Sequence, residues 1–279
     1  VGIVGAPGFS GGNLDVSPNG QQLAFSKPGN TAEQQSDIWL IELATGRATP
    51  LTDDHAGDSD PAWSPDGKYI VFNSSRLGGE SLFVRASDGS GVDVLLAKFE
   101  TSESKRFTVA SWSRAGVLIF NVLNKNGDSD LWTLSMPGDR TRRVFVSSKQ
   151  SELNGAFSPD GRWVAYQSNA SGRYEIVVRP FPDKDPARTI SRDGGRYPRW
   201  RGDGKELFFV SPAGTMMAAG FDPTSGVSQG EPQPLFATQI RIFDNRPYAV
   251  DEYGQRFLLK VGPDQQMVAV MDWRTLLDR

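Results

Sequence analysis

Ser64-Pro65-Asp66-Gly67, followed by Lys68-Tyr69-Ile70-Val71-Phe72, decides the fold, because the same phrase recurs along the chain. Ser158-Pro159-Asp160-Gly161 precedes Arg162-Trp163-Val164-Ala165-Tyr166, and Ser17-Pro18-Asn19-Gly20 precedes Gln21-Gln22-Leu23-Ala24-Phe25. Three looser copies complete the series. They are Ser113-Arg114-Ala115-Gly116 before Val117, Arg201-Gly202-Asp203-Gly204 before Lys205, and Asp251-Glu252-Tyr253-Gly254 before Gln255. The glycines stand at 20, 67, 116, 161, 204 and 254, so the spacing stays between 43 and 50 residues. Proline presets φ for the first turn position, Asp or Asn suits the second, and glycine takes the left-handed conformation that closes a hairpin. An aromatic residue precedes four of the turns (Trp63, Trp112, Phe157, Trp200) and apolar runs follow them, which is a strand-turn-strand signature.

Working outward, a third strand is expected at Asp37–Leu43, Ser81–Ala86, Asp130–Leu134, Glu175–Arg179, Met216–Phe221 and Met267–Trp273. A short fourth is expected at Ala48–Leu51, Val92–Leu96, Arg143–Val146, Arg188–Ile190 and Pro234–Phe236. Four strands repeated at this period predict an all-β, six-bladed β-propeller of antiparallel strands. The last unit lacks a fourth strand, and Val1-Gly2-Ile3-Val4 is expected to supply it and so close the ring. One domain over 1–279 is expected, with blades near 14–57, 58–106, 107–151, 152–194, 195–243 and 244–279 plus 1–10. The Pro/Gly-rich stretch 222–234 reads as a long loop in the fifth blade.

The run Pro61-Ala62-Trp63-Ser64-Pro65-Asp66-Gly67-Lys68-Tyr69-Ile70-Val71-Phe72 resembles the repeat of TolB-like, WD-related bacterial propellers. The block 152–211, with Val178-Arg179-Pro180-Phe181-Pro182 and Pro198-Arg199-Trp200-Arg201, resembles a C-terminal propeller found in bacterial proteins. In these a serine/threonine kinase or winged-helix domain is joined to the propeller through a membrane helix. The resemblance implies a sensory or scaffold module of a larger protein, periplasmic or otherwise extracytoplasmic. No kinase motif lies in this sequence.

Composition removes several functions. There is no cysteine, so disulfides, thiolate metal sites and cysteine nucleophiles are excluded. A net charge of −3 argues against a broad nucleic-acid surface. No apolar run is long enough to span a bilayer. Gly8-Phe9-Ser10-Gly11-Gly12 matches the pattern of a nucleophile elbow, but that turn needs a strand before it and a helix after it. A triad would also depend on His55, the sole histidine. No cofactor is expected. Asp53, Asp54, Asp58 and Asp60 carry oxygens that suit Ca²⁺, yet their spacing is not that of a twelve-residue calcium loop, and a solvated acidic loop is the plainer reading.

Loops on a rigid scaffold carry function. Aligning the loops that lead into each innermost strand gives a ring of unlike residues: Asn13, Asp58, Asp60, Glu152, Asn154, Arg196, Tyr197 and Arg246. These are the candidate ligand-binding residues, over the central channel, for a peptide, protein or small polar ligand. A monomeric, non-catalytic binding domain is expected. The alternative is a hydrolase or lyase using Asp58, Asp60 and Glu152, or a metal, at the channel mouth. The tryptophans on repeat positions (Trp39, Trp63, Trp112, Trp132, Trp163, Trp200) are expected to pack blade against blade.

Overall fold

The computed structural model describes residues 2–3, 13–29, 35–99, 106–136, 140–182, 185–240, 246–261 and 266–271. All six turns form as the repeat predicts. In each, the glycine N–H donates to the carbonyl three residues back at 2.8–3.0 Å, from Gly20 to Ser17 through Gly254 to Asp251. The six glycines have φ between +67° and +76°, which an L side chain adopts only with strain. In the full repeats the serine and aspartate add a second layer. Ser64 Oγ donates to Asp66 Oδ1 at 2.6 Å and accepts from Tyr69 N–H at 2.9 Å; Ser158 repeats this with Asp160 and Trp163 at 2.6 and 3.0 Å.

Each hairpin grows into an antiparallel four-stranded sheet. Blade 1 holds β2 (Leu14–Val16), β3 (Gln22–Lys27), β4 (Asp37–Glu42) and β5 (Ala48–Pro50). Blade 2 holds β6 (Asp58–Trp63), β7 (Tyr69–Ser74), β8 (Ser81–Ala86) and β9 (Val94–Lys98). Blade 3 holds β10 (Arg106–Trp112), β11 (Val117–Leu123), β12 (Ser129–Ser135) and β13 (Arg142–Val146). Blade 4 holds β14 (Glu152–Phe157), β15 (Trp163–Ser168), β16 (Glu175–Pro180) and β17 (Arg188–Thr189). Blade 5 holds β18 (Arg196–Trp200), β19 (Glu206–Val210), β20 (Thr215–Asp222) and β21 (Val227–Ala237).

The fold is an all-β propeller, but the expectation of six blades is corrected. Five blades, not six, are single runs of four consecutive strands. The remaining sheet is a composite of the two chain ends: β22 (Tyr248–Val250), β23 (Arg256–Val261) and β24 (Gln266–Met271), with β1 (Gly2–Ile3) added at its edge. Gly2 pairs with Ala269 and Ile3 with Val268. The physical reason is the open ladder of β24, which the sequence-distant β1 covers. The stretch expected as a loop at 222–234 is also corrected. Most of it belongs to β21, paired with β20 across two register breaks. Pro232 and Pro234 are tolerated because β21 is the outermost strand of its blade.

Second strands such as β15 are buried along their whole length, because each blade is covered on both faces by its neighbours. The core is accordingly a series of layers between blades. Ala24, Ile38 and Leu40 of blade 1 meet Trp63, Ile70 and Phe72 of blade 2. The last layer joins blade 1 to the composite sheet, where Ala249 packs with Leu14, Leu23 and Phe25, and the ring closes. The six tryptophans on repeat positions lie in these layers; Trp163 and Trp200 both meet Phe221 edge-on, with centroids 5.5 and 4.9 Å apart. No helix among the described residues is long and apolar enough to cross a membrane.

Candidate functional site at the central channel

The inner strands β6, β14 and β18 each contain a register break, and each break holds one residue with a left-handed backbone. These are Asp60 (φ 56°), Asn154 (φ 57°) and Tyr197 (φ 60°). Asp and Asn tolerate this conformation, but a tyrosine is an outlier there and must be held. The clamp comes each time from the second strand of the preceding blade. Asp60 N–H donates to Ser26 Oγ at 3.1 Å, Asn154 N–H to Asn121 Oδ1 at 2.8 Å, and Tyr197 N–H to Gln167 Oε1 at 3.0 Å. Tyr248 Oη donates to the Tyr197 carbonyl at 2.7 Å.

The structure divides the eight sequence-derived candidates into two groups. Asn13, Asp60, Asn154, Tyr197 and Arg246 belong to polar networks at the inner strands. Asn13 Nδ2 donates to Asp60 Oδ1 at 2.6 Å, and Asn73 Nδ2 bridges Asp60 Oδ2 (3.3 Å) and the Phe107 carbonyl (2.5 Å). Asn154 Nδ2 shares Gln167 Oε1 with Tyr197 N–H. Arg246 is buried and reaches across the ring, donating from Nη2 to the Pro61 carbonyl of blade 2 and from Nη1 to the Ala110 carbonyl of blade 3 at 3.4 Å.

Asp58, Glu152 and Arg196 lie elsewhere. Asp58 meets Arg76 at 2.9 Å, and the same guanidinium holds Asp54 at 2.7 Å and Asp93 at 2.5 Å. Glu152 accepts from Ser148 Oγ (2.8 Å) and Ser168 Oγ (3.4 Å) in a cleft shared with Tyr166 and Arg179. Arg196 stacks over the Tyr174 ring at 4.1 Å. The four aspartates considered for Ca²⁺ therefore do not converge: Asp54 and Asp58 share Arg76, while Asp60 is bound to Asn13 and Asn73. Among the described residues no group of three His, Asp or Glu is placed to hold a metal ion. Gly8–Gly12 lies outside the described residues.

The sequence-based alignment of leading loops passes over a second set of residues, two positions before each turn. There Ala62, Ser111, Ala156 and Ala249 are small, whereas blade 1 has Asp15 and blade 5 has Arg199. Comparing that position between repeats is the signal that finds them. Together with Ala110, Ser111 and Ala156, Asp15 and Arg199 line a channel cavity of about 220 Å³. A second cavity of about 220 Å³ shares Val16, Pro18, Pro65, Trp112, Phe157, Pro159 and Trp200 with it and reaches the hairpin turns. The channel thus opens on the turn face through a collar of aromatic and proline side chains. Trp63 Nε1 donates to the Asp15 carbonyl (3.2 Å) and Trp200 Nε1 to the Ala156 carbonyl (3.0 Å), so the collar is fastened blade to blade. A larger cleft of about 670 Å³ between blades 2 and 3 is lined mainly by apolar side chains, among them Tyr69, Val94, Leu96 and Met136.

Electrostatics follow from this burial. Desolvation pushes the Asp15 carboxyl above its ordinary value, opposed by the charge of Arg246 and by Trp63 N–H, which donates to Oδ2 at 2.8 Å. Desolvation likewise raises Asp60, against Arg106 and Arg246. Burial, and then repulsion from Arg246, pulls the Arg199 guanidinium down to about 10. At the channel, two buried guanidinium nitrogens, Arg199 Nη2 and Arg246 Nε, have no hydrogen-bond partner. Uncompensated donors of this kind are costly in a protein interior.

Propeller geometry, repeat and channel define a β-propeller domain. Residues 1–120 match the family model described as the TolB beta propeller domain, PD40. The fold is similar to that of TolB from Acinetobacter baumannii, with a TM-score of 0.70 at 14% identity, covering 91% of this chain and 61% of that one. In sequence the chain is similar to the uncharacterized peptidase YuxL of Bacillus subtilis, 25% identical over an alignment of 192 residues that covers 55% of this chain. It is also similar to the uncharacterized protein Atu1656 of Agrobacterium fabrum, 34% identical over 77 residues, 28% of this chain. The matches span 28% and 25% of the lengths of these two relatives, so the chain corresponds to a minor part of each.

Proposed function

We propose that this chain is a non-catalytic binding propeller of a larger bacterial protein, which takes a peptide, protein segment or small polar ligand into the channel through its turn-face mouth. One observation carries the reading. Side chains from several blades (Trp63, Trp112, Phe157, Trp200) converge on one opening above a guanidinium with an unpartnered nitrogen. Such a concave, mostly apolar site with a few convergent polar groups is what ligand sites look like. The carboxylates support binding over catalysis. Asp15 and Asp60 are engaged by Trp63 N–H and by Asn13 and Asn73, Asp58 is buried against Arg76, and Glu152 accepts from Ser148 in a different cleft. Peptidase activity is named for YuxL as a whole, and this chain matches little more than a quarter of it.

Extracytoplasmic placement, and a kinase or winged-helix domain elsewhere in the same polypeptide, belong to this reading and rest on the resemblance of the repeat. Screening a peptide array against the domain, read by quenching of collar tryptophan fluorescence, tests the reading. Hits should be lost on Trp112→Ala, a partly exposed collar residue. Hits indifferent to Trp112→Ala and to Trp200→Phe would move the binding surface away from the channel.

A further inference from the structure

We infer that the turn-face mouth is a carboxylate-recognition site, in which Arg199 grips the acid group of a ligand whose apolar body lies in the aromatic collar. This deepens the binding reading above and rests on it. Four observations lead to it. Arg199 is partly exposed as a residue and lines the cavity, while its Nη2 is buried, so a ligand meets its charged end only by passing the collar into the cavity. Its Nη1 donates to its own neighbour, the Pro198 carbonyl at 2.8 Å, Nη2 has no hydrogen-bond partner, and the guanidinium lies over the Tyr248 ring at 6.0 Å. Asp15, the carboxylate whose field reaches Arg199, has Oδ2 engaged by Trp63 N–H. Ala110, Ser111 and Ala156 beside it are small and leave the cavity open.

A guanidinium binds a planar carboxylate through two parallel N–H bonds, which is stronger and more directional than a neutral contact. Arg246 adds positive field behind Arg199 without lining the cavity, and an incoming anion would relieve the repulsion between them. The collar supplies the complementary apolar surface. The ligand class is therefore a monocarboxylate on an aromatic or aliphatic body. A small free acid and the C-terminal residue of a polypeptide share that chemistry.

The test titrates the domain with four probes: indole-3-acetate, indole-3-acetamide, an acetylated peptide ending in Phe with a free carboxylate, and its C-terminal amide. Binding is read by calorimetry and by collar tryptophan fluorescence. Each acid should bind about tenfold or more tighter than its amide. Arg199→Gln should abolish that ratio and leave amide binding in place. The peptide pair showing the larger ratio would assign the source to a polypeptide end, and the indole pair to a small acid. Equal binding of acids and amides would overturn the carboxylate inference and keep the channel reading. No probe reaching the collar would overturn both. If Arg199→Gln fails to fold, the acid-to-amide ratio of the unaltered protein still decides, together with its loss at high salt.

Discussion

Asp60, within the inner strand of the second blade, and Asp66, in the turn that follows it, have opposite fates. Asp60 sits in the strand's register break, buried against Asn13 and Asn73, and desolvation raises its carboxyl. Asp66 sits in the exposed turn, where Ser64 Oγ and Lys68 N–H lower it. The turn is a local structure that uses a carboxylate as an acceptor of nearby donors. The channel is a tertiary structure that strips water from carboxylates and guanidiniums alike. One end of the strand is architecture that each repeat makes for itself; the other is a shared interior whose charges differ from blade to blade.

The contrast can be broken most forcefully at Arg246. Arg246→Ala removes two donors to carbonyls on blades 2 and 3 and the cation beside Asp15 and Asp60. Urea unfolding should report a loss of about 3 kcal/mol or more. A loss under about 1 kcal/mol would mean that the cross-ring bonds add little beyond hydration. Gln167→Leu comes next, because it strips the acceptor from Tyr197 N–H and from Asn154. A buried orphan N–H on a left-handed tyrosine should cost about 2 kcal/mol in the same measurement. Ser64→Ala and Ser158→Ala act only on their own turns and should each cost about 1 kcal/mol, with the double variant additive.

The smallest effect is in pH dependence, and its sign separates the two environments. Asp66 holds its proton less tightly when folded, so its stabilisation is whole above 3.8 and is lost as pH falls through the lower folded value. Asp60 is the reverse. Its contribution is whole below 3.8 and is lost as pH rises through the raised folded value. Asp66→Asn should flatten the acid limb of a urea-midpoint profile, and Asp60→Asn should flatten the decline above 3.8. Profiles altered with the same sign would collapse the distinction.

Much of the fold was legible because the turns are local. Ser64, Asp66 and Gly67 satisfy one another within a few residues, and so do Ser158, Asp160 and Gly161; the sequence phrase and the structure are one object. The exposed stretch at 222–234 misled because Pro and Gly mark a loop on most readings, yet an outermost strand accommodates both. The candidate site was legible in part. Asn13, Asp60 and Arg246 were singled out because loops leading to inner strands differ between blades, and the structure places them in polar networks at the inner strands. Asp58 and Glu152 were not separable from them by sequence, since a bulge two residues on turns Asp60 and Asn154 onto a different course. Arg199 and Asp15 lay hidden among alanines and serine at the equivalent position.

By itself the sequence determined the hairpin, its period and the residues that must pack, because turn chemistry and alternating burial act over a few residues. Only the tertiary structure decided the register in which β1 meets β24, with Gly2 beside Ala269 and Ile3 beside Val268, and that 227–237 pair as a strand, since strand pairing has no local code. It also decided which charges share one channel. Arg246 and Ala110 are far apart in the chain, and only ring closure brings a guanidinium from the last sheet onto carbonyls of blades 2 and 3.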